Sequence, residues 1–236
     1  MKFAYLIEPP FNDRDSDGTV KGCDVDLARY VAAKLGIRDV ELIEAEFADL
    51  LPGLAAGRWR MTTGLFATED RERIASFSRP IWALPDGLLV ARGNPLGLSG
   101  YGSVAGHDEC LLAVIQDQDQ HRSAVQFGIP NDRIKIFETY TDAAMAVHAG
   151  RVSAYASVAR AHAGFLEGRE DLALELTTVP LSEKRPSYGS FAFARSDDGF
   201  RTAVDRILAD YLGSSSHRKA MHRYGFSDAE IDLLVF

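Results

Sequence analysis

No run of eighteen apolar residues occurs in the sequence, so no segment is long enough to cross a bilayer as a helix. There are only two cysteines, Cys23 and Cys110, and no CxxC pair, which removes support for a redox centre. Basic residues occur singly or in pairs and the net charge is −8, so the dense positive patch of a nucleic-acid binder is missing. There is no phosphate-binding loop and no nucleophile elbow. The six histidines show no metal-ligand pairing. His217 and His222 would face apart on one helix. What remains is an ordinary globular composition, 236 residues with 46% apolar and 25% charged, enough for one large domain or two small ones. The two thiols are expected to be unpaired and buried. Met1–Ile7 is too short for a secretory apolar region, which leaves a cytoplasmic protein or an exported one without its leader.

Strands and helices alternate along the chain, the pattern of the α/β class. Residues 3–7 form a short apolar run stopped by Glu8-Pro9-Pro10. Val25, Ala28, Val31, Ala32 and Leu35 recur at helical spacing before Gly36. Strands are expected at 40–43, 61–63, 111–115, 134–137 and 152–156. Helices are expected at 49–56, 123–127, 141–148 and from 157 to about 167. Phe200, Ala203, Val204, Ile207, Leu208 and Tyr211 form the clearest apolar stripe. Thr68 can cap a charged turn that carries Arg71. Segments 88–91 and 190–194 read as extended links between two α/β units.

Two motifs invite a cofactor. Asp13, Asp15, Asp17, Gly18 and Asp24 partly match a calcium loop. The final ligand is Asp, however, and the flanks are extended, so an Asp-Gly hairpin turn accounts for the same residues. Gly100, Gly102 and Gly106 miss the dinucleotide spacing and precede a strand instead of following one. Neither a metal nor a cofactor is expected.

Several ordered segments together change the weighing. Glu8-Pro9-Pro10-Phe11, Gly22-Cys23-Asp24-Val25-Asp26-Leu27-Ala28, Leu51-Pro52-Gly53-Leu54, Thr68-Glu69-Asp70-Arg71, Phe77-Ser78-Arg79-Pro80, Gly150-Arg151-Val152 and Tyr224-Gly225-Phe226 resemble the solute-binding proteins of polar amino-acid ABC importers. Glu46-Phe47, Gly64-Leu65-Phe66 and Gly93-Asn94-Pro95-Leu96-Gly97-Leu98 look like the ectoine and hydroxyectoine binders among them. The resemblance implies the type II periplasmic binding fold, in which two α/β lobes are joined by two hinge strands and hold the ligand between them. Residues 1–90 with 190–236 would form one lobe and 91–189 the other, with hinges near Ala91 and Gly189.

The same resemblance implies a site without catalysis. Phe11, Phe47 and Phe66 would face a delocalised cation, Glu8 would neutralise it, and Arg71 would fork a carboxylate beside Gly64. The chemistry is coherent, because aromatic faces attract delocalised cations and only Arg offers a planar fork. Amino-acid binders carry an aspartate for the α-ammonium where this chain has Ala154-Tyr155-Ala156-Ser157-Val158. Asp117 and Asp119 replace a loop usually rich in Gly and Thr. They would repel a carboxylate unless they point away, or else hold a second ammonium. Arg60 stands where the family usually has Asp. The expected partners are a small zwitterion and a membrane permease, with no nucleic acid, for a monomer in the periplasm or outside the cell. The alternatives are a binder of polar or basic amino acids and a cyclohexadienyl dehydratase-like enzyme on the same fold.

Overall fold

A computed structural model describes residues 1–235. The chain divides into two compact units, residues 1–83 with 188–236 and residues 84–187.

The first unit is built on a parallel sheet in which strand Lys2–Tyr5 lies between Glu41–Glu44 and Met61–Thr62. Helix Cys23–Lys34 buries the predicted apolar stripe, with Val25, Ala28, Val31 and Ala32 fully covered. Ala4, Leu6, Leu50, Leu54, Trp59, Leu65 and Ala192 make a core cluster, against which Phe47 packs from its edge. A second sheet places Ser187–Ser190 between Leu65–Phe66 and Trp82–Leu84. Strand Ala192–Ala194 pairs with Ala75–Phe77. The helix predicted from the Phe200 stripe spans Asp198–Tyr211. Arg60 finds its role here. Its guanidinium donates two hydrogen bonds to Asp197, at 2.6 and 3.1 Å, and lies 3.8 Å from the Phe200 ring centroid.

The second unit has a five-stranded sheet in the spatial order Ile134–Phe137, Leu112–Ile115, Ala154–Val158, Asp86–Ala91, Leu174–Thr178. The segment 88–91, read from sequence as a link, lies inside a strand of this sheet. Asp86–Ala91 pairs antiparallel on both sides, and Leu88, Leu89 and Val90 are buried on both of its faces, which explains the unbroken apolar run. The helix expected at 123–127 starts earlier and spans Asp119–Gln126. Its first turn is polar and carries no apolar periodicity. Cys23 and Cys110 are free and buried, one in each unit.

The calcium-like segment is a hairpin. Asp13–Arg14 pairs with Val20–Lys21, and Gly18 turns the chain at φ 86°. Asp15 pairs with Lys21, and Asp24 is buried at the start of the following helix. Among the described residues no group of three or more His, Cys, Asp or Glu could hold a metal.

Candidate functional site

Six of the eight candidate residues lie in the first unit, where one hydrogen-bonded chain ties several of them together. Residues 8–12 form a tight turn. The Glu8 carbonyl accepts from the Phe11 and Asn12 amides, and the Glu8 amide donates to the Asn12 carbonyl. The Pro9-Pro10 peptide inside the turn is cis. Helix Cys23–Lys34 clamps it, because the Cys23 and Asp24 amides donate to the Pro10 and Phe11 carbonyls at 3.0 and 3.1 Å. Gly22 is required at this crossing, since a Cβ there would fall 2.0 Å from the Phe11 carbonyl oxygen.

The side chain of Asn12 continues the chain. Its Nδ2 donates to Thr63 Oγ1 at 2.8 Å, and Thr63 Oγ1 donates to Asp24 Oδ2 at 2.6 Å. The Gly64 amide donates to the same oxygen at 2.8 Å. Trp82 Nε1 donates to Asp24 Oδ1 at 3.1 Å. Asp24 therefore anchors the turn bearing Glu8 and Phe11, the segment 63–66 and the Trp82 indole at once. Burial raises its pKa, and these hydrogen bonds oppose the rise.

Trp82 is the aromatic residue that sequence reading passed over. It is 5% exposed. Its ring lies 4.9 Å from Phe11 and meets Phe66 edge-on at 5.7 Å. Gly64 and Gly189 leave room for it, since a Cβ at either would stand within 2.7 or 2.2 Å of the indole. Trp82 and Asp24 lie far apart in sequence, and no local signal joins them.

The expected residues are used unequally. Phe47 and Phe66 are half-buried, whereas Phe11 is 3% exposed and packs between Trp82 and Phe226. Packing therefore takes up Phe11, as core burial usually does for a Phe. The Gly64 amide is committed to Asp24. The Arg71 guanidinium lies 5.1 Å from the Phe47 ring centroid and donates to the Phe66 carbonyl at 3.0 Å. Arg71 thus joins both half-buried rings. Thr68 occupies the N-cap position of helix Glu69–Glu72, but its hydroxyl makes no capping bond. That oxygen is buried without a hydrogen-bond partner, in the same turn as Arg71.

Asp117 and Asp119 belong to the second unit. Asp117 is exposed at φ 63°, in the turn before helix Asp119–Gln126. Asp119 is paired: Lys184 Nζ donates to its Oδ2 at 2.9 Å and to Asp86 Oδ2 at 2.6 Å. Asp86 is 1% exposed and also accepts from the Tyr101 hydroxyl at 2.5 Å and from Gln120 Nε2 at 2.9 Å. Lys184 is thus a cation the sequence reading missed, and it compensates charge that would repel a carboxylate.

Comparison with known proteins agrees with this architecture. Residues 2–227 match the family model of bacterial extracellular solute-binding proteins, family 3. A probable amino-acid ABC transporter periplasmic-binding protein, y4tE of Sinorhizobium fredii, is 30% identical over 232 residues, covering 96% of this chain and 77% of the relative. The crystal structure of EhuB in complex with hydroxyectoine superposes with a TM-score of 0.89 at 27% identity, covering 98% of this chain and 90% of that one. The ancestral amino-acid-binding protein AncCDT-1, a precursor of cyclohexadienyl dehydratase, shares the fold at a TM-score of 0.82 and 21% identity, covering 95% of this chain and 94% of that one. No helix among the described residues is long and apolar enough to cross a membrane. The chain belongs to the bacterial extracellular solute-binding proteins, family 3, built on the type II periplasmic binding fold.

Proposed function

We propose that this protein is the solute-binding component of an amino-acid-type ABC importer, acting outside the cytoplasmic membrane, and that its solute is ectoine or 5-hydroxyectoine. The observation that carries the reading is the Arg71 guanidinium over the Phe47 ring at 5.1 Å. A planar, delocalised cation already sits on that aromatic face, so the face suits the amidinium ring of an ectoine. Phe47 and Phe66 would hold the ligand's cation and Glu8 would balance its charge. Arg71 would turn its fork to the carboxylate, with the unpartnered Thr68 hydroxyl as a further donor. Lys184 on Asp119 supports a zwitterion over a dication, because that acid is already paired. The likeness to hydroxyectoine-bound EhuB points the same way. The second reading is a basic amino acid, favoured by the exposed Asp117.

A thermal-shift titration with ectoine, hydroxyectoine, glycine betaine, proline and the basic amino acids tests this. Ligand at a hundred times its Kd stabilises by about 2.7 kcal/mol, a rise of roughly 5–11 °C for a chain of this size. A shift with the ectoines supports the proposal. A shift with basic amino acids alone transfers the assignment to the second reading. Turnover of prephenate or arogenate would make the protein an enzyme and overturn both.

A further inference from the structure

We propose that Asp24 is an ionised, uncompensated charge behind the aromatic face of the first unit, and that through Trp82 it biases this face toward cationic over neutral solutes. The inference rests on the solute reading above. Buried charges are normally paired, because removing an ion from water costs several kcal/mol. Asp24 is 1% exposed, and among the described residues its partners are hydrogen-bond donors, with no Lys, Arg or His paired to it. Every group that touches it is a donor: Thr63 Oγ1, the Gly64 amide, Trp82 Nε1 and, at 3.6 Å, Cys23 Sγ. Thr63 accepts from Asn12, so its own proton points to Asp24. Converging donors are the setting a carboxylate needs, and two of them, the Gly64 amide on Oδ2 and Trp82 Nε1 on Oδ1, can only donate.

Trp82 transmits the charge. A carboxylate bound to the indole N–H pushes electron density into the ring, and an electron-rich face attracts cations more strongly. The indole cannot drift, because Gly64 and Gly189 close on it from two sides. Its ring contacts Phe66 directly, so field and position reach the half-buried face together. In a low-dielectric interior, an unpaired negative charge also favours any cation held nearby. Asp24 acts on the solute through other residues and is therefore a positioning residue.

Two measurements test this. The first needs no ligand. Trp59 Nε1 donates to the neutral Leu50 carbonyl at 2.9 Å and serves as an internal reference for Trp82. Asp24→Asn should move the Trp82 indole N–H resonance upfield and leave that of Trp59 in place. The second is calorimetry with ectoine against pyroglutamate, a smaller cyclic carboxylate whose lactam ring is uncharged, and with arginine against citrulline. Asp24→Asn should weaken the cationic member about tenfold, the size of one unit charge acting over roughly 12 Å at an effective dielectric of about 20. The neutral member should change less than threefold. Trp82→Phe, which keeps a ring and loses the N–H, should behave alike. The double variant should be no worse than either, since both break one coupling. Equal losses for charged and neutral solutes, or an unmoved Trp82 resonance, overturn the inference and leave the solute reading standing. A wild-type protein that binds neither cationic solute sinks the solute reading and this inference together.

Discussion

Acid should destabilise this protein steeply through two histidines, one in each unit. His162 is fully buried, its Nδ1 accepts from the Tyr140 hydroxyl at 2.6 Å, and its Nε2 faces the Gly87 carbonyl at 3.3 Å. Burial pushes its pKa down to about 3. His217 Nδ1 accepts from the Gly213 amide at 3.1 Å, and burial followed by the Arg218 charge lowers its pKa to about 4. In the unfolded chain both return to the ordinary value near 6.5. Below pH 6.5 the unfolded state therefore binds two protons that the folded state refuses, so stability is full above that pH and falls with acid. At pH 5 each residue has cost about 2 kcal/mol, about 4 together, a large part of the 5–15 kcal/mol that holds most domains. Urea unfolding at pH 8, 7, 6 and 5 would measure the slope. His162→Gln keeps a donor and an acceptor but cannot titrate, so it should remove about half of the loss. A His162→Gln protein with the wild-type pH dependence would refute the reasoning.

Arg71→Lys keeps the charge and loses the fork. Calorimetry should show a carboxylate-bearing solute bound about 10- to 100-fold more weakly, the worth of a charge-assisted hydrogen bond, and an unchanged Kd would remove Arg71 from the site. Gly189→Ala drives a methyl group to within 2.2 Å of the Trp82 ring. It should cost about 1–3 kcal/mol as overpacking and shift Trp fluorescence, whereas a silent variant would contradict the packing. Lys184→Met strands the buried Asp86 and should lower the Tm by roughly 6–20 °C, from a loss of about 3–5 kcal/mol, with a change under 2 °C counting against the network. Asp119→Thr removes one of the two acids on Lys184, and its effect on solute affinity reports whether that helix start touches ligand.

Patterns that live in neighbouring residues are legible in the sequence. Period-3.6 burial placed helix Asp198–Tyr211, and a short apolar run between turn residues placed strand Ile134–Phe137. The ordered segments from Glu8 to Phe226 pointed to the family and thereby to the fold, because a family's turns and caps repeat as local motifs. The start of helix Asp119–Gln126 was not legible. Its first turn is polar, and Gln120 is buried by its bond to Asp86 and not by apolar packing. Residues 88–91 were legible as extended, but not their place inside the second unit's sheet, which depends on the strands that flank them.

By itself, the sequence determined the alternation of strands and helices, the family, and the residue types to which we assign a zwitterion: aromatics, an acid and an arginine. Tertiary structure alone decided their employment. It sent Phe11 into packing, left Phe47 and Phe66 half-buried, and turned Asp24 from a calcium-like ligand into the anchor of Trp82. It also gave Asp119 its counter-ion in Lys184 and Arg60 its partner in Asp197. The physical reason is range. Propensity and periodicity act over a few residues, whereas the energy of a buried charge depends on donors and counter-ions that only the fold brings to it.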